Sequence, residues 1–203
     1  MAFSDFQYPE VLERFGLRWN TVMDMFAAVS SIEPSETFHS AYRRSVTLGT
    51  NAHTEFSRAV WVVGPLLAEF WKRYHHSITL TAGADLQAPD TPELCGRCDF
   101  LISGSHYPHV VMPPVRLVGF MSPGGDWVKG LGRCIAALVA AQQFNGSDAP
   151  VFGFITNGSE WHFLRLRGAE LDYDMGSQLR TDASFLLGIL MHIVGPPPAQ
   201  AAA

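Results

Sequence analysis

Charge is scarce in this sequence: Asp, Glu, Lys and Arg make up 16% of its 203 residues, against about 25% in an average globular chain. That excludes a disordered polyelectrolyte. Basic residues are the minority, 14 against 19 acidic, for a formal net charge of −5. A broad basic footprint for nucleic acid is therefore excluded, and only a local patch remains open. Cysteine is sparse too. Three cysteines cannot all pair within one chain, a usage that fits a reducing cytoplasm and not a secreted disulfide framework. Long apolar runs are missing: the longest, residues 135–141 and 185–194, fall short of the roughly 18 residues of a membrane span. Residues 1–15 lack the basic stretch followed by an apolar one that marks a signal peptide. No segment repeats.

What is present is apolar. The hydrophobic share is 47%, with 14 Phe and 5 Trp. At 203 residues the chain reads as one domain with trimmings, taking about 150 residues per domain. It is long enough to bury a core without a disulfide or metal staple. So many aromatics at so low a charge also point to apolar surface that a partner covers.

Apolar residues at helical spacing predict helices over residues 8–15 and 20–29. Ser35-Glu36-Thr37 after Pro34 opens a third, running to about residue 44. The longest helical pattern covers residues 53–74. Gly64-Pro65 inside it predicts a kink or a split, because proline removes a helical hydrogen bond. Short alternating or β-branched runs predict strands over 77–81, 98–103 and 115–121, the second after a loop over 83–94. Ser122-Pro123-Gly124-Gly125 ends the third strand. Asp126 caps a helix to residue 144, which Asn145-Gly146 closes. Residues 151–156 and 161–167 form a hairpin about Asn157-Gly158-Ser159, and 177–194 form a final amphipathic helix. The expected organisation is a helical extension over 1–50, an α/β core over 51–194 with both sheet faces covered, and a loose Pro- and Ala-rich tail over 195–203.

Several short stretches fall in a recognisable order. They are Asp5-Phe6, Tyr8-Pro9, Val11-Leu12 and Phe15; Glu33-Pro34-Ser35; Thr54-Glu55 and residues 62–67 around Pro65; Cys98-Asp99-Phe100-Leu101; Gly130-Leu131-Gly132, Cys134-Ile135-Ala136 and Ala140-Ala141-Gln142 up to Asn145; and Thr156-Asn157-Gly158, Trp161 and Phe163-Leu164. In that order and spacing, over nearly the whole chain, the sequence resembles bacterial proteins of the PD-(D/E)XK nuclease superfamily. It is similar to stand-alone domains related to the N-terminal nuclease region of type I restriction enzyme motor subunits. The resemblance implies a restriction-endonuclease-like mixed β-sheet flanked by helices, here with an N-terminal helical extension. It also implies an active-site pattern: an aspartate on one strand, Glu-x-Lys on the next, and usually a glutamate on the first core helix. Such carboxylates hold Mg²⁺, the metal activates water and stabilises charge on the phosphate, and the lysine helps to position the attacking water.

Asp99 matches the metal-binding aspartate. The rest of the pattern is missing. The next strand puts Gly119 and Met121 at the glutamate and lysine positions in one register, Met121 and Pro123 in the other. The helix acid falls at Val60, with Glu55 more than a turn earlier, and Arg133 replaces the glutamine common before the helix cysteine. The expectation is a pseudoenzyme: a nuclease fold without its active site and without a cofactor, serving as a protein-binding or assembly subunit or as a homo-oligomer. Losing grouped carboxylates removes their mutual repulsion and releases an apolar strand, with Val118, Phe120 and Met121, to pack against a partner.

Two alternatives stand beside it. One is a Mg²⁺-dependent nuclease in which Asp126, Lys129 or Glu55 has taken over beside Asp99. The other is a non-cleaving DNA- or RNA-binding domain. Lys129 and Arg133 share a helix face, Arg165 and Arg167 point the same way from a strand, and together they would make a small basic patch. The net charge of −5 favours protein over nucleic acid as the partner, and no membrane is expected.

The remaining motifs read as structural. Cys95-Gly96-Arg97-Cys98 has the spacing of half a zinc site or a redox pair, but no second C-x-x-C accompanies it; packed thiols are the reading, for Cys134 as well. His106 and His109 flank Pro108 in a loop, and His75-His76 follow Lys72-Arg73 at a helix end, where cations meet the dipole. The glycine loop before Asp126 reads as a turn and N-cap and not as a phosphate cradle, since Asp126 repels an anion.

Overall fold

The computed structural model describes residues 2–51, 54–74, 77–107, 110–176 and 182–197. Seven strands succeed one another: β1 (Arg18–Val22), β2 (Thr79–Gln87), β3 (Cys95–Ser103), β4 (Val115–Met121), β5 (Val151–Thr156), β6 (Trp161–Arg167) and β7 (Glu170–Asp174). They form one mixed sheet in the order β1-β7-β6-β5-β4-β3-β2. β4 and β5 are parallel, as are β1 and β7; the remaining neighbours are antiparallel. Parallel neighbours need a crossover, and between β4 and β5 it is the helix α5 (Val128–Asn145).

Each face of the sheet has its own core. On one, α5 buries Leu131, Ile135 and Leu138 with Val118, Phe120 and Ile155. On the other, α4 (Gly64–Trp71) and α6 (Ala183–Val194) bury Leu66, Phe70, Phe185 and Leu190 with Leu117, Phe154 and Phe163. Three short or peripheral helices complete the chain: α1 (Glu10–Phe15), α2 (Glu36–Asn51) and α3 (Glu55–Arg58). The expected class, a mixed α/β sheet flanked by helices, is the observed one. Strands β4, β5 and β6 occupy the residues expected of them.

Elsewhere the chain departs from expectation. The helix expected over 20–29 is not formed, and Arg18–Val22 is an edge strand paired with β7. Trp19 stacks on Tyr173 at 5.5 Å, and Asn20 Nδ2 donates to Glu170 and Asp172. An open strand edge with matching side chains outweighs a weak helical pattern. The N-terminal stretch is therefore not only helical: it supplies a strand, and it sends Phe3, Phe6 and Val11 into the core beneath α5. β7 was not expected. It follows β6 across a tight turn at Gly168, whose φ is +57°.

The pattern over 53–74, described from residue 54, does not split at Pro65. A π-turn, Ala59–Val63, lies between α3 and α4. Pro65 has no N–H for the Trp61 carbonyl, which accepts from the Ser45 hydroxyl of α2. α5 starts at Val128 with Trp127 as its N-cap; Asp126 contributes by accepting the Val128 N–H at 3.1 Å. α6 begins at Ala183 behind the N-cap Asp182; the expected start over 177–181, His75-His76, His109 and the tail beyond residue 197 lie outside the described residues. Among the described residues, no helix is long and apolar enough to cross a membrane.

Candidate functional site

Beyond the Phe100–Gly119 pair the β3–β4 ladder ends. There the Asp99 carboxylate takes over as partner: Oδ2 accepts the Met121 N–H at 2.7 Å. Asp99 sits where the alternation of β3 breaks. Cys98 and Leu101 both pack in the core under α5, while Phe100 and Ile102 pack in the other. A regular strand would place Cys98 and Leu101 on opposite faces. The break faces Gly83, which the β2–β3 ladder skips and whose φ of +69° few other residues adopt. It is also why β2 continues through residues expected as loop.

Arg133 reaches the same place from α5. Its Nη2 donates to the Met121 carbonyl and lies 3.5 Å from Asp99 Oδ2. Its Cζ stands 4.8 Å from the centre of the Phe120 ring, a cation–π contact. Glu55, at the start of α3, accepts the Gly124 N–H at 2.8 Å. Around these groups is a cavity of about 600 Å³, with Glu55, Phe56 and Val60 on one wall, Arg97, Asp99 and Phe100 on another, and Met121 and Arg133 at the base. That volume lies within the roughly 300–1,000 Å³ of small-molecule sites. Among the described residues, a groove of about 660 Å³ along β2 has Asp85 as its one charged lining residue.

The strand positions where the resemblance expects Glu-x-Lys differ in kind. Met121 is buried at the cavity base. Gly119 is not open at all. A Cβ there would lie 2.5 Å from Cε1 of Phe154 and nearer still to Cζ. Phe154, on the neighbouring β5, is fully buried and packs against Phe100 at 6.2 Å, Trp161 at 4.9 Å and Phe163 at 6.2 Å. Pro123 lies past the end of β4, in the 3₁₀ turn Pro123–Gly125. The chain holds only two lysines. Lys72 pairs with Glu69 at 3.0 Å and Lys129 with Asp126 at 3.6 Å, and neither lines the cavity. A divalent metal therefore does not fit the pattern of positions that the resemblance implies. Asp99 is already held by an amide and a guanidinium, and the second strand position has no room for a carboxylate. Among the described residues, no three His, Cys, Asp or Glu side chains gather to hold a metal ion.

Several expected groupings are corrected. The basic patch does not assemble. Leu164 and Leu166 pack toward α5, so Arg165 and Arg167 project from the opposite face of the sheet. Arg165 is bound to Asp172, at 2.6 Å from Nη2. The strand residues expected to meet a partner, Val118, Phe120 and Met121, are buried in this chain's own cores. Cys95 and Cys98 lie three apart on β3 and so do not form a chelating pair. Burial, and the nearby Cys134, push the Cys98 thiol well up, and burial raises Cys134 to about 12; both are inert thiols. His106 stacks on Tyr107 at 4.6 Å. The residues that sequence reasoning missed are Arg97, Gly83 and Phe154. Arg97 carried a signal, standing two residues before Asp99; Phe154 carried none within an apolar strand.

A buried histidine lies outside the cavity. His162 is 2% exposed. Trp127 stacks on it at 4.2 Å, its Nδ1 is 2.9 Å from the Tyr173 hydroxyl, and its Nε2 has no partner among the described residues. Burial holds its pKa below the usual histidine range, against a smaller upward pull from Glu160. The unfolded chain then binds the proton more readily than the folded one. Stability is fully present above the ordinary histidine pKa of about 6.5 and falls as pH drops through it, by at most about 1.4 kcal/mol per pH unit. Urea unfolding at pH 7.5 and 5.5 should show this loss in the native chain and a smaller one in His162→Phe. Equal losses would remove His162 as the cause.

Compared with known proteins, the chain matches no protein-family model and no curated protein.

Proposed function

We propose that the chain is a catalytically inactive PD-(D/E)XK-like domain that acts as a protein-binding or assembly subunit. The carrying observation is the Phe154 ring, which fills the space that a glutamate at position 119 would need. The convergence of Val60, Asp99 and Met121 on one cavity supports the resemblance, since these are the positions it assigns to catalytic groups. Their identities support the loss of catalysis. The cation bound to Asp99 is the Arg133 guanidinium, which is also fixed to the Met121 carbonyl, and among the described residues no lysine lines the cavity. Apolar surface supports a partner: Leu48, Phe56, Val60 and Trp61 are exposed on α2, α3 and the π-turn.

The test is cleavage of labelled single- and double-stranded DNA and RNA with Mg²⁺ and with Mn²⁺. The native chain, Asp99→Ala and Glu55→Gln are run side by side. No cutting by any of them is expected. Cutting by the native chain that both variants lose would overturn the reading in favour of a relocated nuclease site, the arrangement that the shared cavity of Asp99 and Glu55 favours.

A further inference from the structure

The charged groups of the cavity are unequally satisfied. Asp99 accepts from Met121 and Arg133, and Glu55 accepts from Gly124. Arg133 donates to the Met121 carbonyl. The Arg97 side chain is exposed and has no hydrogen bond or ion pair among the described residues. Its guanidinium lies on Gly83, where an added Cβ would sit 2.5 Å from Nη2, 2.9 Å from Nε and 3.1 Å from Cζ. Being nearer to Nη2 and Nε than to Cζ, that point lies at the Nε–Nη2 edge of the guanidinium. A side chain at residue 83 would push the guanidinium aside. Arg97 thus lines the cavity with guanidinium donors on its other edge that no group among the described residues receives.

The wall beside it is apolar. Phe56, Ala59, Val60 and Phe100 line the cavity, and Phe56 is 78% exposed. An acceptor with an apolar body would satisfy both features at once. Asp99 and Glu55 stand on the same walls and disfavour a dianion, so a phosphomonoester, with a charge of about −1.5 to −2 near neutral pH, suits the site less than a carboxylate. We propose that this cavity binds an apolar carboxylate, its oxygens on Arg97 and its hydrocarbon against Phe56 and Val60. The proposal rests on the reading of the cavity as a non-catalytic binding site. The same chemistry is offered by a free fatty acid and by the apolar C-terminal residue of a polypeptide.

Amide chemical shifts of the full chain, followed during titration, test it. The probes are octanoate and octanol, and the peptide acetyl-Gly-Leu-Phe as free acid and as amide. At least one acid should bind saturably at one site, moving the amides of residues 97–100, at least tenfold more tightly than its neutral counterpart. Octanoate alone would identify a small-molecule ligand, the peptide acid alone a polypeptide C-terminus. Arg97→Gln should abolish the preference for acid over neutral probe, and Phe56→Ser should weaken both; each side chain is exposed, so the fold is retained. Absence of binding by either acid, equal binding of acid and neutral probe, or a preference that survives Arg97→Gln would overturn the proposal. A chain that cuts no nucleic acid yet binds neither acid would overturn the ligand alone and leave the non-catalytic reading in place.

Discussion

Gly119→Glu, which puts an acid where one register of the resemblance expects it, should unfold the protein. The Cβ alone enters the Phe154 ring, and Phe154 has no free direction, being wedged among Phe100, Trp161 and Phe163. Overpacking of this kind costs about 1–3 kcal/mol. The carboxylate would then be buried among aromatic rings without a partner, at several kcal/mol more. Against a total stability of about 5–15 kcal/mol, a loss above about 4 kcal/mol leaves little or no folded chain. Gly119→Ala, which carries the steric part alone, should be folded but weaker by about 1–3 kcal/mol. Urea unfolding of the soluble fraction reads both. A Gly119→Glu chain as stable as the native one would mean that Phe154 moves aside, and the claim that this ring bars a catalytic acid would fail with it.

The second large effect belongs to Arg133. Its side chain is 24% exposed, and that of its partner Asp99 36%, so water screens the pair in part. Arg133→Ala removes the ion pair, the bond to the Met121 carbonyl and the contact with Phe120. Removing one partner of a buried pair costs about 3–5 kcal/mol; with this much exposure the expected loss is about 2–3. Asp99→Ala should cost less, about 1–2 kcal/mol, because it strands one backbone N–H and leaves an arginine that can turn toward water. The double variant should lose less than the two single losses together, since each single variant leaves the other group unmatched. Additivity within about 0.3 kcal/mol would show the two groups to be independent.

These expectations rest on features of unequal visibility in the sequence. β4, β5 and β6 were legible because their apolar runs end at Pro, Gly and Asn. β1 was not, since Arg18–Val22 has an edge strand's mixed composition and its partner lies far along the chain. β2 looked shorter than it is because Gly83 reads as a breaker, whereas here its positive φ lets the strand continue past Asp99. Within the site, Asp99 and the lack of acid or lysine at Gly119 and Met121 were legible only through the resemblance. What fills the acid's place was not. Nothing in the run Val151–Thr156 says that Phe154 sits opposite Gly119; only the register does. Likewise Lys129 and Arg133 share a helix face with each other, but the side of the sheet on which Arg165 and Arg167 emerge depends on which residues of β6 meet α5.

The pairing of β1 with β7 has a consequence for biosynthesis. Arg18 and Glu170, bound across this pair, are 152 residues apart. Loop closure on that scale comes late, after local structure has formed. During vectorial synthesis the N-terminal edge strand, with Trp19, leaves the ribosome long before its neighbour exists. The helices and the β2–β3–β4 hairpins can assemble meanwhile. The sheet, however, closes only when the last quarter of the chain emerges. A nascent chain arrested before β7 would hold an unpaired strand available to other polypeptides, and such arrested chains are where chaperone dependence should concentrate.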